Sequence, residues 1–183
     1  MANATMGDLD AALDKGLLKD IRRLMLILAG APLIYCLMGY WAFRNQAATA
    51  GAQGPAPIFL YCLGAVAIAE IVLSKILPER KLRAENLNQY FENGFQKNKI
   101  PFTKDRALIV SYLIRPYFLL KTALIEAVAV YGFMVFFMAL GVLPSQPYYW
   151  LALAVCPVVS LWIFASIPTE ADLRRLFENH LLR

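Results

Sequence analysis

Four apolar runs, separated by polar stretches of unequal length, organise this chain. They cover about 24–43, 58–77, 118–140 and 148–167, each near the roughly 20 residues that carry a helix across a bilayer core. A soluble helical bundle would show polar faces between its apolar stripes, and "YGFMVFFMALGVL" shows none. The expected fold is therefore an all-α membrane protein, with four transmembrane helices arranged as two hairpins in a single domain. Segment 1–23, with "GDLDAALDKGLLKDIRRL", reads as an amphipathic helix at the membrane surface. Its Asp8, Asp10, Asp14 and Asp20 do not fit the positive opening of a cleaved signal peptide.

The connections differ in kind. "RNQAATAGAQGPAP" and "GVLPSQP" are short Gly/Ala/Pro-rich links. The stretch 78–117 is long and polar, and its Leu82, Leu87, Tyr90, Phe91 and Phe95 approximate one helical face. Asn93-Gly94 marks the end of that helix, and Thr103 is a candidate cap for the next segment. Pro116 is expected to kink the chain between an interfacial piece and the third span. After Pro168, "PTEADLRRL" opens a C-terminal helix over 168–183. Pro57/Pro78 and Pro147/Pro168 bracket the second and fourth spans with equal spacing, and Tyr35 and Tyr131 occupy equivalent places in the first and third. This faint echo is what a duplicated hairpin would leave, and also what helix composition alone generates.

Charge sets the orientation. Lys15, Lys19, Arg22 and Arg23 precede the first span, eight Lys and Arg lie between the second and third, and Arg174, Arg175 and Arg183 follow the fourth. The two remaining loops contribute only Arg44. The positive-inside rule then places both termini and the central loop in the cytoplasm, in a cell (inner) membrane. Composition agrees: 60% of residues are hydrophobic, and mean hydropathy is +0.53. The net charge of +5 follows from topology, so nucleic-acid binding is not required. The basic loop is suited to anionic lipid.

Little of the sequence carries cofactor chemistry. Cys36, Cys62 and Cys156 lie within spans without a CxxC pair and read as small apolar residues. His180 is the single histidine, so a two-histidine haem is excluded within this chain and a His-based metal site is not expected. No HExxH, GxSxG or P-loop motif is present, so no enzyme activity and no cofactor are expected. Trp41, Tyr148, Tyr149 and Trp150 look like interfacial anchors at the outer boundary.

The informative residues are the ionisable ones inside the runs: Glu70, Lys75, Lys121 and Glu126. Counted from the cytoplasmic ends of their spans, Glu70 and Glu126 both lie roughly 10–12 Å deep at 1.5 Å per residue. Ser74 and Thr122 each stand four residues below a carboxyl, on the same helical face. The lysines are five positions away, about 140° around the helix, which favours pairing across helices: Glu70 with Lys121, Glu126 with Lys75. Ala65, Ala69, Ala123 and Ala127 permit close helix approach. Intramembrane acids are expensive and mark functional candidates, here for proton or ion exchange. The competing reading is that charges and hydroxyls fix helix register or dock a partner. Desolvation can also leave either acid neutral.

"RPYFLLKTALIEAVAVYGFMVFFMALG", Arg115–Gly141, resembles the ion-carrying helix of the rotary ATP synthase c-subunit, the proteolipid. The likeness rests on a cytoplasmic-side Arg115, the aromatic Phe118, Glu126-Ala127 and the following Tyr131. It implies that Glu126 is a proton- or sodium-binding carboxylate. It is confined to this helix: 58–77 holds only Gly64 where a c-subunit partner helix has a glycine run, and the polar loop is long. The expected function is a small multi-pass membrane subunit or assembly protein, contacting lipid and packing with other membrane subunits or with copies of itself. A proton- or cation-linked transport component using Glu126 is the alternative.

Overall fold

The computed structural model describes residues 5–45, 57–81, 105–140 and 149–181. These residues are helical almost throughout and contain no strand. The helices are α1 (Met6–Asp14), α2 (Leu17–Asn45), α3 (Pro57–Lys81), α4 (Arg106–Met138), α5 (Trp150–Ala165) and α6 (Glu170–Leu181). Three of them, α2, α3 and α4, are long and apolar enough to cross a membrane, and a fourth crossing exists if α5 and α6 count as one broken span. The connections expected at 46–56, 82–104 and 141–148, with the amphipathic face around Tyr90, Thr103 as a cap and Tyr148 as an anchor, lie outside the described residues.

Element boundaries follow local chemistry. Thr5 opens α1 with a capping box, its backbone N–H donating to the Asp8 carboxylate at 2.8 Å. Gly16, at φ 89°, breaks the chain between α1 and α2; only glycine takes that left-handed backbone freely. The surface segment expected over 1–23 is thus divided at Gly16, and its second half continues into the span as one helix. Nothing in "LLKDIRRLML" interrupts that helix, and Leu17, Ile21 and Met25 are buried along one side. Asp105 caps α4, accepting from the Ala107 and Leu108 N–H groups at 3.0 and 3.3 Å. The interfacial piece and span expected on either side of Pro116 form a single helix, α4, with Pro116 inside it. Buried Ile114, Tyr117 and Phe118 hold the helix on both sides of that proline. Pro78 likewise falls inside α3, which runs on to Lys81.

The chain divides into two compact units. The first comprises 1–24, 75–121 and 167–183. Its core contains Leu9, Ala12, Leu17, Ile21, Ile109, Val110, Ile114, Leu173 and Phe177. Around that core run ion pairs: Lys15–Asp105, Arg115–Asp20, Arg106–Asp8 at 3.3 Å, and Arg174 with both Asp10 and Glu170 at 2.8 Å. A second capping box starts α6, where Thr169 N–H donates to Asp172 at 2.9 Å and Asp172 N–H donates back to the Thr169 hydroxyl at 3.3 Å.

The second unit comprises 25–74 and 122–166. Its core includes Met25, Ala29, Ile125, Ala129, Phe136, Leu153, Cys156, Val159 and Ile163. The Ser160 hydroxyl donates to the Ala29 carbonyl at 2.6 Å, tying α5 to α2. At Gly132 the α4 backbone meets α5 closely: a Cβ there would stand 2.5 Å from the Ala152 carbonyl oxygen. Trp150 packs against Phe43 and Phe136, with ring centroids 4.9 and 5.0 Å away, and Tyr149 is buried. Both were expected as outer anchors; a ring cluster takes up Trp150, and Tyr149 is buried. Trp41 is exposed, as an interfacial ring would be. All three cysteines are free, and only Cys156 is fully buried.

Candidate functional site

The polar residues singled out in the second unit meet tyrosines. The Tyr35 hydroxyl on α2 donates to Glu126 on α4 at 3.2 Å. The Tyr131 hydroxyl on α4 donates to Glu70 on α3 at 2.8 Å. Glu126 and Tyr131 are five residues apart, so they leave α4 about 140° from one another and reach different neighbours. A single helix thus holds a carboxyl toward α2 and a phenol toward α3. The same angular offset that argued against local Glu–Lys pairs produces this two-sided arrangement.

Among the described residues, neither glutamate forms an ion pair with a lysine. Lys75 is exposed and Lys121 half-buried. Ser74 and Thr122 are both buried. Ser74 donates to the Ile71 carbonyl of its own helix at 2.7 Å, not to Glu70. In helices, serine commonly returns its hydroxyl to a carbonyl of the preceding turn, and that local bond wins over the side chain above. The expectation joined Glu70 and Glu126 with both lysines in one polar cluster; each glutamate accepts a hydrogen bond from a tyrosine.

The two pairs are not equivalent. The second oxygen of Glu70, Oε2, is buried without a hydrogen-bond partner among the described residues. A buried carboxylate oxygen left unpaired is costly. An apolar recess of about 240 Å³ lies beside this pair, lined by Leu60, Leu63, Gly64, Val128, Tyr131 and Gly132 among others. In the first unit a polar cleft of about 340 Å³ is lined by Asp10, Leu13, Asp14, Leu18, Glu170 and Arg174. Asp10 and Glu170 are engaged by Arg174, and no group of three metal-ligating side chains occurs among the described residues.

Tyr35 and Tyr131 are the site residues that sequence reasoning did not assign. The signal was present: the echo between the first and third spans aligns them. Tyr35 looked like one more ring in an apolar run, and Tyr131 stood out only through the c-subunit likeness, because a buried acid points first to an opposite charge. Compared with protein-family models, characterised proteins and solved structures, the chain has no match, so its functional reading rests on residues and geometry.

Proposed function

We propose that this chain is a small multi-pass membrane subunit that assembles laterally with other membrane proteins or with copies of itself. Glu70 and Glu126 serve in it as polar ties between helices. The observation that carries this reading is the pair of Tyr–Glu hydrogen bonds, which take up both acids inside the chain and link α4 to α2 and to α3. Such interhelical bonds give register where apolar packing alone is unselective. Supporting it, the span windows of α2, α3 and α4 are only 22%, 6% and 28% buried within the chain. That leaves apolar surface, most of all on α3, for lipid or neighbouring helices. The Lys/Arg distribution supports an inner-membrane orientation with both termini cytoplasmic. Extraction in a gentle detergent after cross-linking in the native membrane tests this. A defined complex well above the 20.5 kDa chain is expected, and a monodisperse lone monomer would count against it.

A second reading has one observation in its favour. Glu70 Oε2 is buried and unpartnered, so Glu70 is a place where a proton or cation gains a ligand. In a proton- or cation-linked transport component, Glu126 would act as in the c-subunit-like helix and Glu70 as its relay. A hydrophobic carbodiimide separates the readings. Labelling of Glu126 that disappears at high pH supports exchange at that carboxyl, and absence of labelling at every pH removes it.

A further inference from the structure

Ion pairs take up some of the first unit's charges and leave others unpaired among the described residues. Asp8, Asp10, Asp20, Asp105 and Glu170 are each joined to a cation. Lys19, Arg22 and Arg23 are exposed and have no acidic partner among the described residues. In "KDIRR" the intervening Asp20 would be the natural neutraliser, but its carboxylate is turned to Arg115 on α4. The spacing of positions 19, 22 and 23 puts the three cations on one face of α2, opposite buried Leu17, Ile21 and Met25. Arg22 is also held in place: its Nε donates to the Pro168 carbonyl at 3.2 Å, which leaves the terminal guanidinium nitrogens to meet something else.

The same face changes character one turn later. Its next exposed residues are Leu26 and Ile27, followed by Leu33, Ile34, Leu37 and Met38. In a membrane, that change from paired arginines to an apolar stripe falls at headgroup depth, with acyl chains beyond it. We propose that Lys19, Arg22 and Arg23 form a binding site for the phosphate of an anionic phospholipid, whose acyl chains lie along Leu26 and Ile27. This rests on the membrane reading above. Arginine suits the role because its planar fork meets phosphate oxygens two at a time, while Lys19 adds a mobile point charge. A lipid is favoured over free phosphate because the cations continue directly into apolar surface.

Native mass spectrometry from detergent, with phosphatidylglycerol, phosphatidylcholine or inorganic phosphate added, tests the site. The wild-type chain should retain one phosphatidylglycerol in clear preference to phosphatidylcholine. Each of Lys19→Gln, Arg22→Gln and Arg23→Gln should weaken retention by about fivefold, and together they should abolish the preference. Arg44→Gln, which removes the same charge from the far end of α2, should leave it intact. Lys19→Gln with Arg23→Gln spares the Arg22–Pro168 bond and serves if the triple variant does not fold. Equal retention by wild type and variants overturns the site, and competition by inorganic phosphate at matched concentration overturns its assignment to lipid. Carbonate extraction separates the levels: release of the protein without detergent removes the membrane reading and this site together. A membrane-held protein lacking the lipid preference removes this site alone.

Discussion

Glu126 and Glu70 each accept a hydrogen bond from a phenol, at 3.2 and 2.8 Å. A phenol can donate to a carboxylate or, more weakly, to the carbonyl oxygen of a neutral carboxyl. A lysine tie would lose its Coulombic part on protonation. Removing the Tyr131 hydroxyl leaves Glu70 with neither oxygen paired, since Oε2 already has no partner among the described residues. Tyr131→Phe should therefore destabilise the detergent-solubilised protein by about 1–2 kcal/mol, near the upper end for interhelical bonds in membranes. Combined with Glu70→Gln in a double-mutant cycle, it should show a coupling of at least about 0.5 kcal/mol in thermal melts. Strict additivity of the two changes would dissolve the tie. The glutamates themselves stood out in the sequence, because an ionisable group in an apolar run is conspicuous. Their bonds to Tyr35 and Tyr131 did not, because what a tyrosine in such a run touches is legible only once the neighbouring helix is in place.

Helix existence was easier to read than helix ends. The apolar runs at 24–43, 58–77 and 118–140 correspond to α2, α3 and α4, yet each helix extends beyond its run. Hydropathy stops where charged residues begin, whereas a helix stops only where backbone chemistry intervenes, as at Gly16 with its positive φ. Pro116 was read as a kink between two pieces; both belong to one helix, because proline removes only one donor and its neighbours' burial holds the helix together. Gly132 was invisible as a packing device and brings the α4 backbone close against α5. Gly132→Ala should cost about 1–3 kcal/mol, because the new methyl meets the Ala152 carbonyl and backbone cannot yield as a side-chain tip can. Gly64→Ala is the matched control: nothing lies within 4 Å of a Cβ there, and the change removes a flexible residue from a helix interior. Melting temperatures should fall for the first and hold or rise for the second. A Gly132→Ala protein as stable as wild type would mean that α4 and α5 are farther apart than described.

Charge is distributed by unit: every ion pair among the described residues lies in the first, while the second relies on apolar packing and phenol–carboxyl bonds. The Lys/Arg clusters were evident from the sequence and were read as topology. Their pairing was not, since Lys15–Asp105 and Arg115–Asp20 join residues far apart in the chain. This distribution gives the first unit an acid sensitivity. The hydrogen bond from Lys15 holds the Asp105 carboxyl below its usual range, helped by the Leu108 and Ala107 backbone N–H groups. Asp172 is lowered in the same direction by the Thr169 backbone N–H and hydroxyl. A carboxyl with a depressed folded pKa binds fewer protons folded than unfolded. Its stabilisation is therefore present above the ordinary aspartate range, near pH 4, and is lost as pH falls through the lower, folded value. Both groups are largely exposed, so solvent screening keeps each contribution small. Thermal melts of the solubilised protein between pH 6 and 3 should show a falling midpoint, concentrated below about pH 4. Asp105→Asn keeps the cap geometry but not the charge, and should flatten part of that slope while lowering the midpoint at pH 6. An unchanged slope in Asp105→Asn would separate the acid response from the Lys15 pair and assign it to other carboxyls of the unit.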